Sequence, residues 1–154
     1  MNTILPINSP RRTFNNMIDA IASLLIFLFV YTAISKLITF EEFKSQMRNQ
    51  TFPAWMATGL IWTLPASELI TSVFLLVPRW RTAGFWISFL LLTLFTGYIL
   101  LVLTNYFGRV PCSCGGVIKA LGWKSHLAVN TIFLLLSLFG IYLKNRERRI
   151  VGTV

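Results

Sequence analysis

Four stretches of the chain are apolar on every face, and short polar or charged links separate them. They run over about 17–40, 54–77, 82–107 and 123–143. Each is long enough to cross a bilayer, whose hydrocarbon core asks for about 20 consecutive apolar residues in a helix. Lipid offers no partner to backbone N–H and C=O groups, so each span must bond internally. A barrel would instead show many alternating segments of about ten residues. The pattern predicts an all-α integral membrane protein, a bundle of four transmembrane helices. It forms one domain over 1–154, with short basic tails at 1–16 and 144–154. The first span exceeds a secretory h-region, and Lys36 follows where a cleavage site would need small residues, so the span reads as an uncleaved anchor.

Composition narrows the class without changing it. Of 154 residues 55% are hydrophobic and only 12% charged, and mean hydropathy is +0.68. A soluble domain carries about twice that share of charge. The net charge of +9 comes with too few polar residues for a nucleic-acid-binding module. Its distribution has a simpler cause: Lys and Arg gather on the cytoplasmic side of membrane spans. Arg79 and Arg81 crowd the turn between spans two and three, and Lys144, Arg146, Arg148 and Arg149 follow span four. This predicts cytoplasmic termini, with the 41–53 and 108–122 links facing outward, into the periplasm of a Gram-negative host. Anionic head groups then account for the basic ends.

The link after span three holds the chemistry. It reads Gly108-Arg109-Val110-Pro111-Cys112-Ser113-Cys114-Gly115-Gly116 and contains both cysteines of the chain. Pro111 fixes its own φ, and the glycine pair permits unusual backbone angles, which suits a tight exposed turn. A bridge across one intervening residue would be strained, and strained exposed disulfides are the labile or catalytic ones. Closing so small a loop would contribute little as a staple. Three readings stay open: redox exchange with a partner thiol, two-thiolate binding of Cu(I), and a structural turn. In the other outward link, Phe43 and Met47 lie four apart among charges, which suits a short helix on the membrane surface.

Ionisable groups inside spans are costly and point to function. Glu68 lies near the middle of span two, three residues after the helix-disturbing Pro65, with Ser67, Thr71 and Ser72 close by. It could relay protons, bind a quinone oxygen or hydrogen-bond a neighbouring helix. Lys36 lies about 5 Å below the boundary of span one and Glu68 about 20 Å below that of span two, at 1.5 Å per residue. On those depths the two do not pair, and Lys36 snorkels to the interface. In span four His126, Asn130 and Ser137 fall at i, i+4 and i+11, a stripe predicted to face the bundle with Gly140 at its border. His126 follows Cys114 by twelve residues and could exchange protons with a thiolate. Thr93, Gly97 and Thr104 give span three a small-residue face suited to close helix packing.

These motifs, in this order, resemble a known family. Tyr31-Thr32-Ala33-Ile34-Ser35-Lys36-Leu37 and Pro65-Ala66-Ser67-Glu68-Leu69 resemble the DoxX-like membrane proteins. Pro111-Cys112-Ser113-Cys114-Gly115-Gly116, followed by Trp123-Lys124 and Asn130, looks like the methylamine-utilisation MauE branch. The resemblance implies a four-helix bundle similar to vitamin K epoxide reductase-like proteins. It also implies a role in disulfide formation or thiol redox maturation of exported proteins, in the inner membrane and beside a thioredoxin-like partner. Cys112 and Cys114 match the family's redox pair, and Lys36 and Glu68 its charged positions. With one dithiol in the chain, an electron path to a quinone needs a second from a partner. Two other functions fit the same residues: a non-enzymatic subunit scaffolding a larger secretion, respiratory or maturation complex, and a Cu(I)-binding membrane protein. No metal ligand set beyond the two thiols is evident in the sequence.

Overall fold

The computed structural model describes residues 10–50, 53–106 and 123–152. Cys112 and Cys114 lie outside the described residues. The described chain forms five helices: α1 (Pro10–Ile38), α2 (Phe40–Arg48), α3 (Ala54–Leu76), α4 (Arg81–Leu103) and α5 (Trp123–Gly152). Within them Thr13–Ile38, Ala54–Leu76, Arg81–Leu103 and Lys124–Arg149 are long and apolar enough to cross a membrane. The four-span reading therefore holds. Three edges differ from the sequence pattern. α1 begins at Pro10, inside the expected basic tail, α4 ends at Leu103, and α5 carries its helix past Leu143 through the basic stretch to Gly152. Hydropathy marks where a helix leaves an apolar medium. It does not mark where the helix stops, and Lys, Arg and Glu are all good helix formers.

α1 packs along α3, α3 along α4, α4 along α5, and α5 closes back onto α1, leaving α1 and α4 diagonal. Contacts at both ends fix the alternation. At one end, here called the tail side, Arg81 at the start of α4 pairs with Asp19 of α1, and its Nε donates to Leu75 O at the end of α3 (3.0 Å). Arg146 of α5 lies over the Phe14 ring of α1 at 5.1 Å, and Arg148 donates to the Thr82 hydroxyl at 3.2 Å. At the opposite end α2 bridges α1 to α3.

The tail half is mostly apolar, and its buried hydroxyls, Thr71, Ser72, Ser88 and Ser137, each bond a carbonyl of their own helix. Ile18, Leu25, Phe29, Leu75, Phe85, Leu92 and Ile141 form one buried cluster. Two glycines allow the helices to close on it. A Cβ on Gly84 would stand 2.8 Å from the backbone nitrogen of Leu75, and one on Gly140 would stand 2.5 Å from the Phe85 ring. Small residues of this kind let backbones approach where lipid gives no hydrophobic drive to association. Phe27, Ile70, Val73, Leu90, Leu94, Ile132 and Leu135 are exposed around the outside, the surface a bilayer covers.

The stripe on α5 faces inward as its spacing predicted, with Asn130, Ser137 and Gly140 all buried. The small-residue face on α4 packs against none of the described residues. Thr93 and Thr104 are exposed, and nothing lies within 4 Å of a Cβ placed on Gly97. The packed face of α4 is instead Gly84, Phe85, Ser88, Leu92, Ile99 and Val102. The threonines satisfy themselves inside their own helix, Thr93 on Phe89 O and Thr104 on Leu100 O. They therefore need no partner helix.

Replacing Gly140 by Leu should drive a side chain into the fully buried Phe85 and cost about 1–3 kcal/mol. Gly97→Ala should leave stability unchanged or raise it slightly. Thermal unfolding of the detergent-solubilised variants checks this ordering.

Candidate functional site

Among the described residues the α2 half of the bundle carries the buried polar contacts that run between helices, and α2 helps to place them. Its first turn carries Glu41 and Glu42 and its last Arg48, charges that complement the helix dipole. Phe43 and Met47 do point to one face, as their spacing predicts. That face is buried on Ala57 and Ile61 of α3, so α2 is a packed layer of the protein. Gln50, just beyond it, is buried. Its amide nitrogen donates to Gln46 O at 3.3 Å, and its amide oxygen accepts from the Tyr98 hydroxyl of α4.

With α2 occupying the level of the first turns of α3, the last turn of α1 lies beside the middle of α3. The two spans do not enter at a common level, and the depth comparison that separated Lys36 from Glu68 fails on that point. Helix geometry completes the approach. Side chains tilt toward the N-terminus of their own helix. Since α1 and α3 are antiparallel, Lys36 leans toward the bundle centre and Glu68 leans toward the α2 side. Lys36 Nζ donates to Glu68 Oε1 at 2.7 Å and makes a longer contact with Thr32 O at 3.4 Å. Lys36 therefore turns inward and does not snorkel.

The pair is deeply set. Glu68 is 2% exposed and the Lys36 side chain 17%. By hydrogen-bond geometry the other carboxylate oxygen, Oε2, is buried and meets no partner among the described residues. Of the neighbouring hydroxyls, Thr32 makes a side-chain hydrogen bond with Glu68 and also contacts Phe29 O, whereas Ser67, Thr71 and Ser72 are engaged on Leu64 O, Ser67 O and Glu68 O of their own helix. Such i−3 and i−4 bonds are the usual way hydroxyls are settled inside a helix.

The other sequence-singled residues lie around this pair. His126 is half-buried at the head of α5 and interacts electrostatically with Lys36. Asn130, one turn further, ties α5 to α4 by donating to Leu92 O at 3.1 Å and to the Thr96 hydroxyl at 2.7 Å. The structure thus joins Lys36 to Glu68, sets His126 near the lysine, and leaves Asn130 engaged with α4. Thr32, Gln50, Tyr98 and Thr96 also contribute, and sequence reasoning did not single them out. Thr32 carried a usable signal, four residues before Lys36 on one helix face; Tyr98 in an apolar run carried none. Among the described residues no group of three or more His, Cys, Asp or Glu could hold a metal ion.

A family model described as methylamine utilisation protein MauE matches residues 15–143. The chain belongs to the MauE family. In this MauE-family protein the matched stretch covers most of α1 and the first two-thirds of α5, and it includes Lys36, Glu68, His126 and both cysteines. No curated protein and no solved structure matches the chain. It is a multi-pass membrane protein by its four spans and by its family.

Removing one partner of a buried ion pair strands the other charge and costs about 3–5 kcal/mol, whereas replacing both by apolar residues can be neutral. Lys36→Met should therefore destabilise the protein more than the Lys36→Met/Glu68→Leu double variant does. Equilibrium unfolding in mixed micelles, run as a double-mutant cycle, measures the difference.

Proposed function

We propose that this MauE-family protein is an inner-membrane thiol–disulfide exchange protein that assists disulfide formation in exported proteins, working with a thioredoxin-like partner. The observation that carries the reading is the placement of the only two cysteines. Both lie in the link between α4 and α5, two residues apart, bounded by Pro111 and Gly115-Gly116. That link joins the helices on the α2 side, where the bundle is polar. The termini are cytoplasmic in this reading and the cysteine link faces the periplasm or the outside, as the dense cations at 79–81 and 144–149 favour. The family's description connects it with methylamine utilisation, and the exported proteins of such a pathway are the clients to examine first.

The exchange itself is balanced within the two dithiols. A thiolate of the partner attacks the Cys112–Cys114 disulfide, forming a mixed disulfide and releasing one cysteine as thiolate. The partner's second thiolate then displaces the other cysteine, so the partner leaves as a disulfide and Cys112 and Cys114 remain as a dithiol. Two electrons pass to the pair, and an acceptor must remove them before the next cycle. Only an accessible thiolate enters such a chain, which is why a site outside the reducing cytoplasm matters.

Thiol trapping in intact cells tests this. Both cysteines should react with a membrane-impermeant maleimide after reduction, and a Cys→Ser change at one of them should accumulate a mixed disulfide with the partner. Inert cysteines, with client oxidation unchanged in the Cys112→Ser/Cys114→Ser variant, would contradict the proposal. Stable co-purification with large partners in that same variant would point instead to a scaffolding subunit.

A further inference from the structure

The tail side carries more cations than its acids can hold. Asp19 and Glu147 are the carboxylates of this side, and both are taken: Asp19 by Arg81, and Glu147 by Lys144 at 2.6 Å. Arg146 lies over the Phe14 ring. Among the described residues Arg79 and Arg148 remain, both exposed. Arg79, in the turn between α3 and α4, meets no partner among those residues. Arg148 gives one N–H to the Thr82 hydroxyl at 3.2 Å, and the rest of its fork of donors is open.

These groups stand around one place, the start of α4. Thr82 follows Arg79 by three residues, which reach at most about 11 Å even when extended. The turn that holds Arg79 is folded, with Trp80 N donating to Val77 O at 3.0 Å. Ser88, Thr93 and Thr96 of α4 donate to carbonyls of their own helix. Thr82 accepts from Arg148 and donates to none of the described residues. The first turn of α4 holds no acidic residue.

The level of this cluster selects its ligand. The span of α3 ends at Leu76, that of α4 begins at Arg81 and that of α5 ends at Arg149, so the cluster lies at the head-group boundary. Trp80 is half-exposed and packs on Phe74, ring centroids 5.4 Å apart, as an interface aromatic does. Leu76, Trp86 and Leu90 on the same two helices are exposed and apolar, a surface for acyl chains. Guanidinium forks match phosphate oxygens bidentately. A phosphate carried on acyl chains meets all of these features, whereas inorganic phosphate meets only the polar ones. Phosphatidylethanolamine would bring an ammonium that needs an acceptor, and Asp19 and Glu147 already hold cations. A head group that is anionic overall brings no such demand.

We infer that Arg79, Arg148 and Thr82 form a discrete site for the phosphate of an anionic phospholipid in the tail-side leaflet. Such a site differs from the diffuse attraction that any basic segment exerts on an anionic bilayer. The phosphate bridges the α3–α4 turn to α5 and fixes the end of α5 on α4, with the Thr82 hydroxyl donating to one of its oxygens. The site needs neither the cysteines nor a particular compartment on the tail side.

Native mass spectrometry of the full chain in detergent, titrated with dioleoyl phosphatidylglycerol, phosphatidylethanolamine or phosphatidylcholine, tests this. Phosphatidylglycerol should fill a first site about tenfold or more tightly than either zwitterionic lipid. Losing a charge-assisted bond should weaken that site about tenfold or more in Arg79→Gln and in Arg79→Gln/Arg148→Gln. Arg79 touches no described residue, so the single change spares the fold. Arg11→Gln/Arg12→Gln removes charge from the same end of the bundle and should leave the first site's affinity unchanged. Equal binding of the three lipids would overturn the inference, and so would wild-type affinity in the Arg79→Gln/Arg148→Gln variant. An equal loss in the Arg11→Gln/Arg12→Gln variant would reduce the binding to diffuse attraction and overturn the site. Displacement of the lipid by inorganic phosphate at equal concentration would make the ligand a free anion and overturn it too.

Discussion

An ammonium and a carboxylate in contact inside an apolar bundle constrain everything near them. Neither charge is tolerable there alone, so the side chains hold each other and, through each other, hold α1 against α3. The contact exists only because three independent features agree. α2 lowers the end of α1 relative to α3, the antiparallel arrangement makes the two side chains lean together, and Thr32 of α1 adds a side-chain hydrogen bond to Glu68. A change in any one of these would leave a charge stranded in a low-dielectric interior, where the penalty is several kcal/mol per ion.

The bundle is consequently built in two halves with different physics. Toward the tails, glycines at 84 and 140 let helices close on Leu75 and Phe85, and the buried hydroxyls there bond only within their own helices. Cations there act at the rim, Arg81 gathering the ends of α1 and α3 while Arg146 and Arg148 tie down α5. Toward α2, polar contacts accompany the packing of Phe43 and Met47 on Ala57 and Ile61: Gln50 with Tyr98, Asn130 with Thr96 and Leu92, Lys36 with Glu68.

Much of this was legible in the sequence because lipid imposes a coarse and strict rule. Span number, helix class and the burial of Asn130, Ser137 and Gly140 follow from hydropathy and a 3.6-residue period. The Lys36–Glu68 contact did not follow, because one-dimensional depth assumes that neighbouring spans start level, and α2 breaks that assumption. The face of Thr93, Gly97 and Thr104 misled for a different reason. Small residues permit close packing but do not compel it, and the larger Phe85, Leu92 and Ile99 face won the interior. The end of α5 shows the same limit, since hydropathy falls at Leu143 while helix propensity does not.

The central claim concerns one distance, and solid-state NMR of the protein in bilayers measures it. Recoupling between lysine 15Nζ and glutamate 13Cδ should give a strong cross-peak for Lys36 with Glu68, assigned by its loss in Lys36→Met. The account predicts direct contact, consistent with Nζ 2.7 Å from Oε1. No such peak, with Lys36 instead correlated to lipid phosphate, would show the lysine at the interface and contradict the architecture described for this half of the bundle.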